Sequence, residues 1–260
     1  MINNIIYVDI IIVIRFNMEV KMKQMKNLNE GFTLAEILIT LGIIGVVAAL
    51  TIPTLIANTN SAKFRSQFKK SFSTLKQAGI MSQAQYGFDY KDAAKNACVA
   101  PATDNPENVM TICAIFNGTL KGISYLGKGD TLKTPDGSAY TIKTAPNGGY
   151  DPMGEYTIDK YNMYALSDGS LVGISENIGF IDVNGLNLPN QEVSCSDGKV
   201  VDTGFKKGNR NVYDGCIVPN KPSNMTDIFP IRFDTDYGSI DRENIAPATN
   251  AVEFVLNSAK

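Results

Sequence analysis

Apolar residues are spread very unevenly along this chain. From Phe32 to Ala57 they run almost unbroken, as FTLAEILITLGIIGVVAALTIPTLIA, with Glu36 as the single charge. A helix of this length extends about 39 Å, more than the ~30 Å hydrocarbon core of a bilayer. The pattern therefore predicts a helix that crosses a membrane and projects beyond it. From Asn58 to about Gly87 the chain turns polar but keeps a helical period. Phe64, Phe68, Phe72 and Leu75 recur at steps of four, four and three, with Lys63, Lys69, Lys70 and Lys76 on other faces. This predicts the amphipathic second half of one long helix, its phenylalanine stripe lying on a sheet and its end at Gly87.

Beyond the helix the period changes. Residues 88–130 read as loop-rich, with one short apolar run from Met110 to Phe116. Strand signals follow at Ser138–Ile142, after a Pro135-Asp136-Gly137 turn, and at Asn162–Leu166 and Leu171–Ser175 around Ser167-Asp168-Gly169-Ser170. Ile178–Val183 ends at Asn184-Gly185, and Ile228–Phe233 precedes a Tyr237-Gly238 turn. A long helix followed by antiparallel hairpins predicts an α+β fold. No repeat of about 20–50 residues is visible, which argues against a solenoid.

Four details separate the apolar segment from an ordinary anchor. Glu36 lies where a carboxylate in lipid costs roughly 2–3 kcal/mol. Thr33-Leu34-Ala35-Glu36 also reads as a T-x-x-E capping box, so a plain capping role stays open for Glu36. Gly42, Gly45 and Pro53 weaken the helix and mark a place to kink or melt, and Gly45 with Ala49 gives a small face for close helix approach. Finally, the segment starts directly after Gly31, behind a short lysine-bearing stretch. A secretory signal peptide fits poorly, because its apolar core is usually about 7–15 residues.

These residues, GFTLAEILITLGIIGVVAALTIP, resemble the class III signal sequence of type IV prepilins and type II secretion pseudopilins, over roughly residues 22–60. The resemblance implies a pilin-like architecture, with the helix across a small antiparallel sheet. It also implies that a prepilin peptidase cuts between Gly31 and Phe32 and methylates the new amine of Phe32. Glu36 would then meet the amine of a neighbouring subunit, and the stems would pack into a filament core. The implied partners are the peptidase, other pilin or pseudopilin subunits, an inner-membrane assembly platform and membrane lipid. The implied location is the bacterial inner membrane, with the C-terminal domain in the periplasm or at the cell surface. The organisation expected is a leader (1–31), a membrane and filament-core helix (32–57), its amphipathic continuation (58–87) and an exported α+β domain (88–260).

Leaders of this family are short and basic, and here MINNIIYVDIIIVIRFNMEV precedes the expected kind of leader. Ile5–Phe16 is too short to span a bilayer reliably. A start at Met22 or Met25 would leave a compact lysine-bearing leader and is preferred over a long discarded one. Lysines and arginines flank the stem on both sides, so orientation follows from the resemblance and not from charge.

Composition narrows the function. The chain has no histidine, which removes the usual general base and the commonest zinc ligand. No nucleophile motif or convergent carboxylate cluster stands out, so an enzyme is disfavoured. A net charge of -2 gives no nucleic-acid surface. The four cysteines, Cys98, Cys113, Cys195 and Cys216, all lie beyond the stem, on the side where disulfides are allowed if the domain is exported. Of three pairings, Cys98–Cys113 and Cys195–Cys216 are preferred because each closes a local loop. A four-cysteine zinc site lacks the close C-x₂₋₄-C pair, and four free buried cysteines remain the bland alternative.

Asp182-Val183-Asn184-Gly185 resembles the start of a calcium loop, and several pseudopilins carry calcium in a late loop. Asp182 and Asn184 are therefore candidate ligands, although the glycine comes too early for the full pattern and an Asn-Gly turn is the simpler expectation. Otherwise no cofactor is expected. Residues 190–225 read as an insertion between two strands, suited to partner contacts or to a stapled surface loop. The expected role is a structural subunit of a type II secretion pseudopilus or a type IV pilus. The alternative is an exported binding protein that uses a pilin-like anchor.

Overall fold

The computed structural model describes residues 32–145, 158–196, 202–207, 210–213, 216–233 and 245–258. The chain divides into two units, Met1–Pro53 and Thr54–Lys260. Helix α1 is Leu34–Tyr86. It runs helical through Gly42, Gly45 and Pro53. It stops at Gly87, whose φ of +82° is a left-handed conformation that favours glycine. The expected helix end is thus met for the reason expected.

The second unit is built on a six-stranded antiparallel sheet in the order β1-β2-β3-β4-β7-β8. Its strands are β1 (Ser124–Lys128), β2 (Asn162–Ala165), β3 (Leu171–Ser175), β4 (Ile178–Asp182), β7 (Ile228–Arg232) and β8 (Ala246–Pro247). Two further strands, β5 (Asp202–Lys207) and β6 (Arg210–Tyr213), form a separate two-stranded ribbon. The ribbon occupies the expected 190–225 insertion. The β2–β3 hairpin turns at Ser167–Ser170, as its Asp-Gly sequence requires.

Alternation sends successive residues to opposite faces of the sheet. Tyr164, Val172, Ile174, Ile181, Phe229 and Ile231 join the main core with the α1 stripe. Met163, Leu171, Phe180 and Ile228 meet Tyr140 and Tyr161 on a second, smaller cluster. Phe68, Phe72 and Leu75 are buried as the spacing predicts, and Phe64 packs at the core's margin. Phe68 stacks on Phe229 with ring centroids 4.2 Å apart and planes 10° from parallel. Gly173 is dictated by packing: a Cβ there would lie 2.3 Å from the Phe180 ring.

Several expectations need correction. The 88–130 stretch is more ordered than a loop, with helices α2 (Tyr90–Ala93) and α3 (Ile112–Thr119) and strand β1 within it. The apolar run in Met110–Phe116 becomes α3 because Thr111 caps it, accepting from Ala114 N. Ser138–Ile142 is not a strand but an extended segment with one isolated bridge, Lys133↔Ala139. There Thr134 N and Tyr140 N still donate across to Ser138 O and Leu132 O, but Ser138 N turns to Asp136 Oδ1 and Gly137 N to Thr134 O, so the pairing stays a tight turn and does not extend into a strand. The C-terminal helix α4 (Asn250–Asn257), capped by Thr249, had no counterpart in the sequence reading. The expected Tyr237-Gly238 turn and the leader lie outside the described residues.

Both preferred disulfides form: Cys98–Cys113, separated by 15 residues, and Cys195–Cys216, separated by 21. The second joins residues on either side of the β5–β6 ribbon. Beside the first, buried Asp104 accepts from Val99 N, Ala100 N and Thr111 Oγ1, tying the closed loop to the cap of α3. Replacing Cys98 by serine is expected to cost about 3 kcal/mol, the chain-entropy value for a loop of this size. Urea melts of the oxidised parent and the variant would measure it; an unchanged midpoint would count against the loop-closure account.

Candidate functional site

The entrance to the stem is organised by its first polar residues. Thr33 N donates to Glu36 Oε2 at 3.0 Å, and Glu36 N donates to Thr33 Oγ1 at 3.3 Å. This reciprocal pair is the capping box read from the sequence, and it fixes the first turn of α1. Thr33 Oγ1 also donates to Glu36 Oε2 at 3.1 Å. The carboxylate is thereby held at the mouth of the helix, near Phe32. Gly31 lies outside the described residues.

Beyond this turn the stem is made for an apolar surround. Leu34–Ile52 is a 19-residue stretch long and apolar enough to cross a membrane, with none of it buried in the protein. At 1.5 Å per residue it spans about 28 Å, close to a hydrocarbon core. The polar groups in it turn inward. Thr40 Oγ1 donates to Glu36 O and Ile37 O, and Thr51 Oγ1 donates to Val47 O, each at 2.9 Å. Such back-bonding keeps hydroxyls satisfied where no water is present. A Cβ at Gly42 or Gly45 would meet nothing within 4 Å, so both glycines leave the helix surface open to close approach by a neighbour.

The calcium candidates Asp182 and Asn184 lie together at the end of β4. Asp182 Oδ2 accepts from Tyr140 Oη at 2.7 Å and its Oδ1 accepts from Asn184 N at 3.1 Å. The turn that follows contains Gly185 at φ +72°. Asp182 thus tethers the Asn-Gly turn that the sequence predicts. Sequence reasoning missed the second carboxylate, Asp227, which accepts from Asn190 N and Gln191 N, both at 2.9 Å. The only available signal was an acid placed directly before an apolar strand.

Burial raises the Asp182 carboxyl well above the ordinary range, and the charge of Asp227 adds to the effect. Burial also raises Asp227, against the pull of the Gln191 and Asn190 backbone N–H groups. A carboxyl whose pKa is raised by folding stabilises the fold fully below its unfolded value and loses that contribution as pH rises through the folded value. Asp182→Asn is therefore expected to raise the melting temperature at pH 8 relative to the parent and to leave the two proteins closer at pH 4. A variant equally or less stable than the parent at pH 8 would contradict this.

Residues 26–52 match the family model described as the prokaryotic N-terminal methylation motif. The match covers the junction and the stem and stops short of the domain. No curated protein and no solved structure matches the chain. The exposed apolar helix and the motif together fit a membrane-anchored, single-pass protein. The motif supports a type IV pilin-like or pseudopilin protein, and implies processing by prepilin peptidase and assembly with other pilin subunits.

Proposed function

We propose that this chain is a structural subunit of a type II secretion pseudopilus or a type IV pilus. The observation that carries the reading is a carboxylate fixed in the first turn of an exposed, membrane-length helix that bears the methylation motif. The peptidase cuts between Gly31 and Phe32 and methylates the Phe32 amine. The new cation and Glu36 are then the only charges at that end of the stem. Inserted among other stems, each is costly alone and tolerable opposite its counterpart on a neighbour. Gly42, Gly45 and Pro53 allow the stem to bend or melt locally as it leaves the bilayer for the filament. The subunit waits in the bacterial inner membrane with its domain exported, which places the two disulfides on the oxidising side.

The direct test is the N-terminus of the protein recovered from membranes. The parent should begin at an N-methylated Phe32. Gly31→Val, which puts a branched side chain where an extended backbone must enter a protease, should accumulate as the uncut precursor. A parent chain beginning at any other residue would end this reading.

A further inference from the structure

A cavity of about 380 Å³ opens in the domain beside Cys98. That volume lies within the range of small-molecule sites, about 300–1,000 Å³. Register sets Lys128, Asn162 and Ile174 side by side across β1, β2 and β3, each about 5 Å from the next on one face of the sheet. All three line the cavity. Ile174 and Ile112, both members of the main core, give it an apolar wall. Lys128, Lys160, Asp159 and Glu176 give it two cations and two acids. Among the described residues none of these four is in an ion pair. The cations of α1 behave differently. Buried Arg65 donates to Asn220 Oδ1, Val218 O and Ser258 Oγ, Lys69 donates to Ser258 O, and Lys70 pairs with Asp168.

Three polar groups of the cavity keep capacity that the fold does not use. Asn162 is only 9% exposed, and its Oδ1 accepts from Tyr125 Oη at 3.4 Å. Its amide Nδ2 has no acceptor among the described residues, so two donors are left for the cavity. Lys128 Nζ gives one of its three donors to Lys160 O at 3.3 Å and keeps two. Glu176 opens the two-residue turn between Ser175 and Ile178, with a φ of +52° where glycine is the easy choice. Side chains held in that region cluster where they clamp ligands.

We propose that this cavity binds a free α-amino acid with an apolar side chain. Its carboxylate sits on Asn162 Nδ2 and Lys128 Nζ, its ammonium on the Glu176 carboxylate, and its side chain against Ile112 and Ile174. A simple anion would meet two acids here, and a simple cation two lysines. An uncharged ligand would strip water from four charges and pair none of them. A zwitterion answers both signs. The proposal concerns the domain and goes beyond the subunit reading, which concerns the stem.

The experiment is equilibrium dialysis of the full chain in detergent micelles against radiolabelled L-leucine. Saturable binding of one leucine per chain is expected. N-acetyl-L-leucine lacks the ammonium and L-leucinamide lacks the carboxylate. Each should compete at least about tenfold more weakly than leucine, because each loses a charge-assisted hydrogen bond. Glu176→Gly relieves the turn, so its melting temperature should equal or exceed the parent's while leucine binding falls about tenfold. That variant should no longer distinguish leucine from N-acetyl-L-leucine, and Lys128→Gln should distinguish leucine from leucinamide less well. No saturable binding at millimolar leucine would overturn the proposal. So would N-acetyl-L-leucinamide competing as well as leucine, or Glu176→Gly binding leucine like the parent. A chain that binds leucine but is not cut before Phe32 would end the subunit reading and leave this site standing.

Discussion

Glu36→Leu is expected to leave the chain cleaved and anchored but absent from filaments. Leucine suits the membrane better than glutamate does, by roughly 3 kcal/mol, so insertion should not suffer. The capping box loses its acid, which costs the first turn about 0.5–1 kcal/mol, small against a membrane-length apolar helix. In the proposed assembly the loss is different in kind. The methylated amine of a neighbour would be buried without its counter-charge, and breaking one side of a buried pair costs about 3–5 kcal/mol. Repeated at every subunit, that penalty stops growth. Glu36→Gln separates the two roles, because it can still cap but carries no charge. Filament recovery by shearing, beside N-terminal analysis of the membrane fraction, is the measurement. Normal filaments from either variant would reduce Glu36 to a helix cap.

The second large effect is on folding. Phe68→Ala is expected to destabilise the detergent-solubilised chain by about 3–5 kcal/mol, the range for truncating a buried phenylalanine. Phe68 has 0% exposure, stacks on Phe229 and lies 5.6 Å from the Phe72 ring. The side chain bridges the helix and an interior strand, β7, so neighbours on two rigid elements cannot easily collapse into the space. Phe64→Ala, at the margin of the same stripe, should cost distinctly less. Equal losses at the two positions, read from urea midpoints, would mean that the stripe does not face the sheet as described.

What was legible in the sequence follows from how local each signal is. The stem, the Phe68-Phe72-Leu75 stripe and the stop at Gly87 depend on period and on one backbone conformation, and all three were readable. The β2–β3 hairpin and both disulfides were readable because each joins neighbours in sequence. Strand β1 was not, because it is an edge strand with no buried residue to carry an apolar alternation, and its register shifts between Tyr125 and Gly127. Helix α3 is buried nearly all round, and an apolar run without a polar face does not declare its type. The second cluster was invisible for another reason. Tyr140 belongs to it through long-range packing and a bond to Asp182, not through any strand of its own. Of the candidate site, the capping box was legible from spacing, whereas the Asp182–Asp227 network joins residues 45 positions apart that no local pattern connects.

The grip of Arg65 and Lys69 on Ser258 sets a timetable for synthesis. Both cations are made long before the group they hold: Ser258 follows Arg65 by 193 residues and Lys69 by 189. Phe68 likewise waits for Phe229, 161 residues later. Long-range pairings of this kind cannot close until the later partner has been made. The helix must therefore stand with its phenylalanines bare through most of the synthesis of the domain, and it is fastened only when residues near Phe229 and Ser258 have followed.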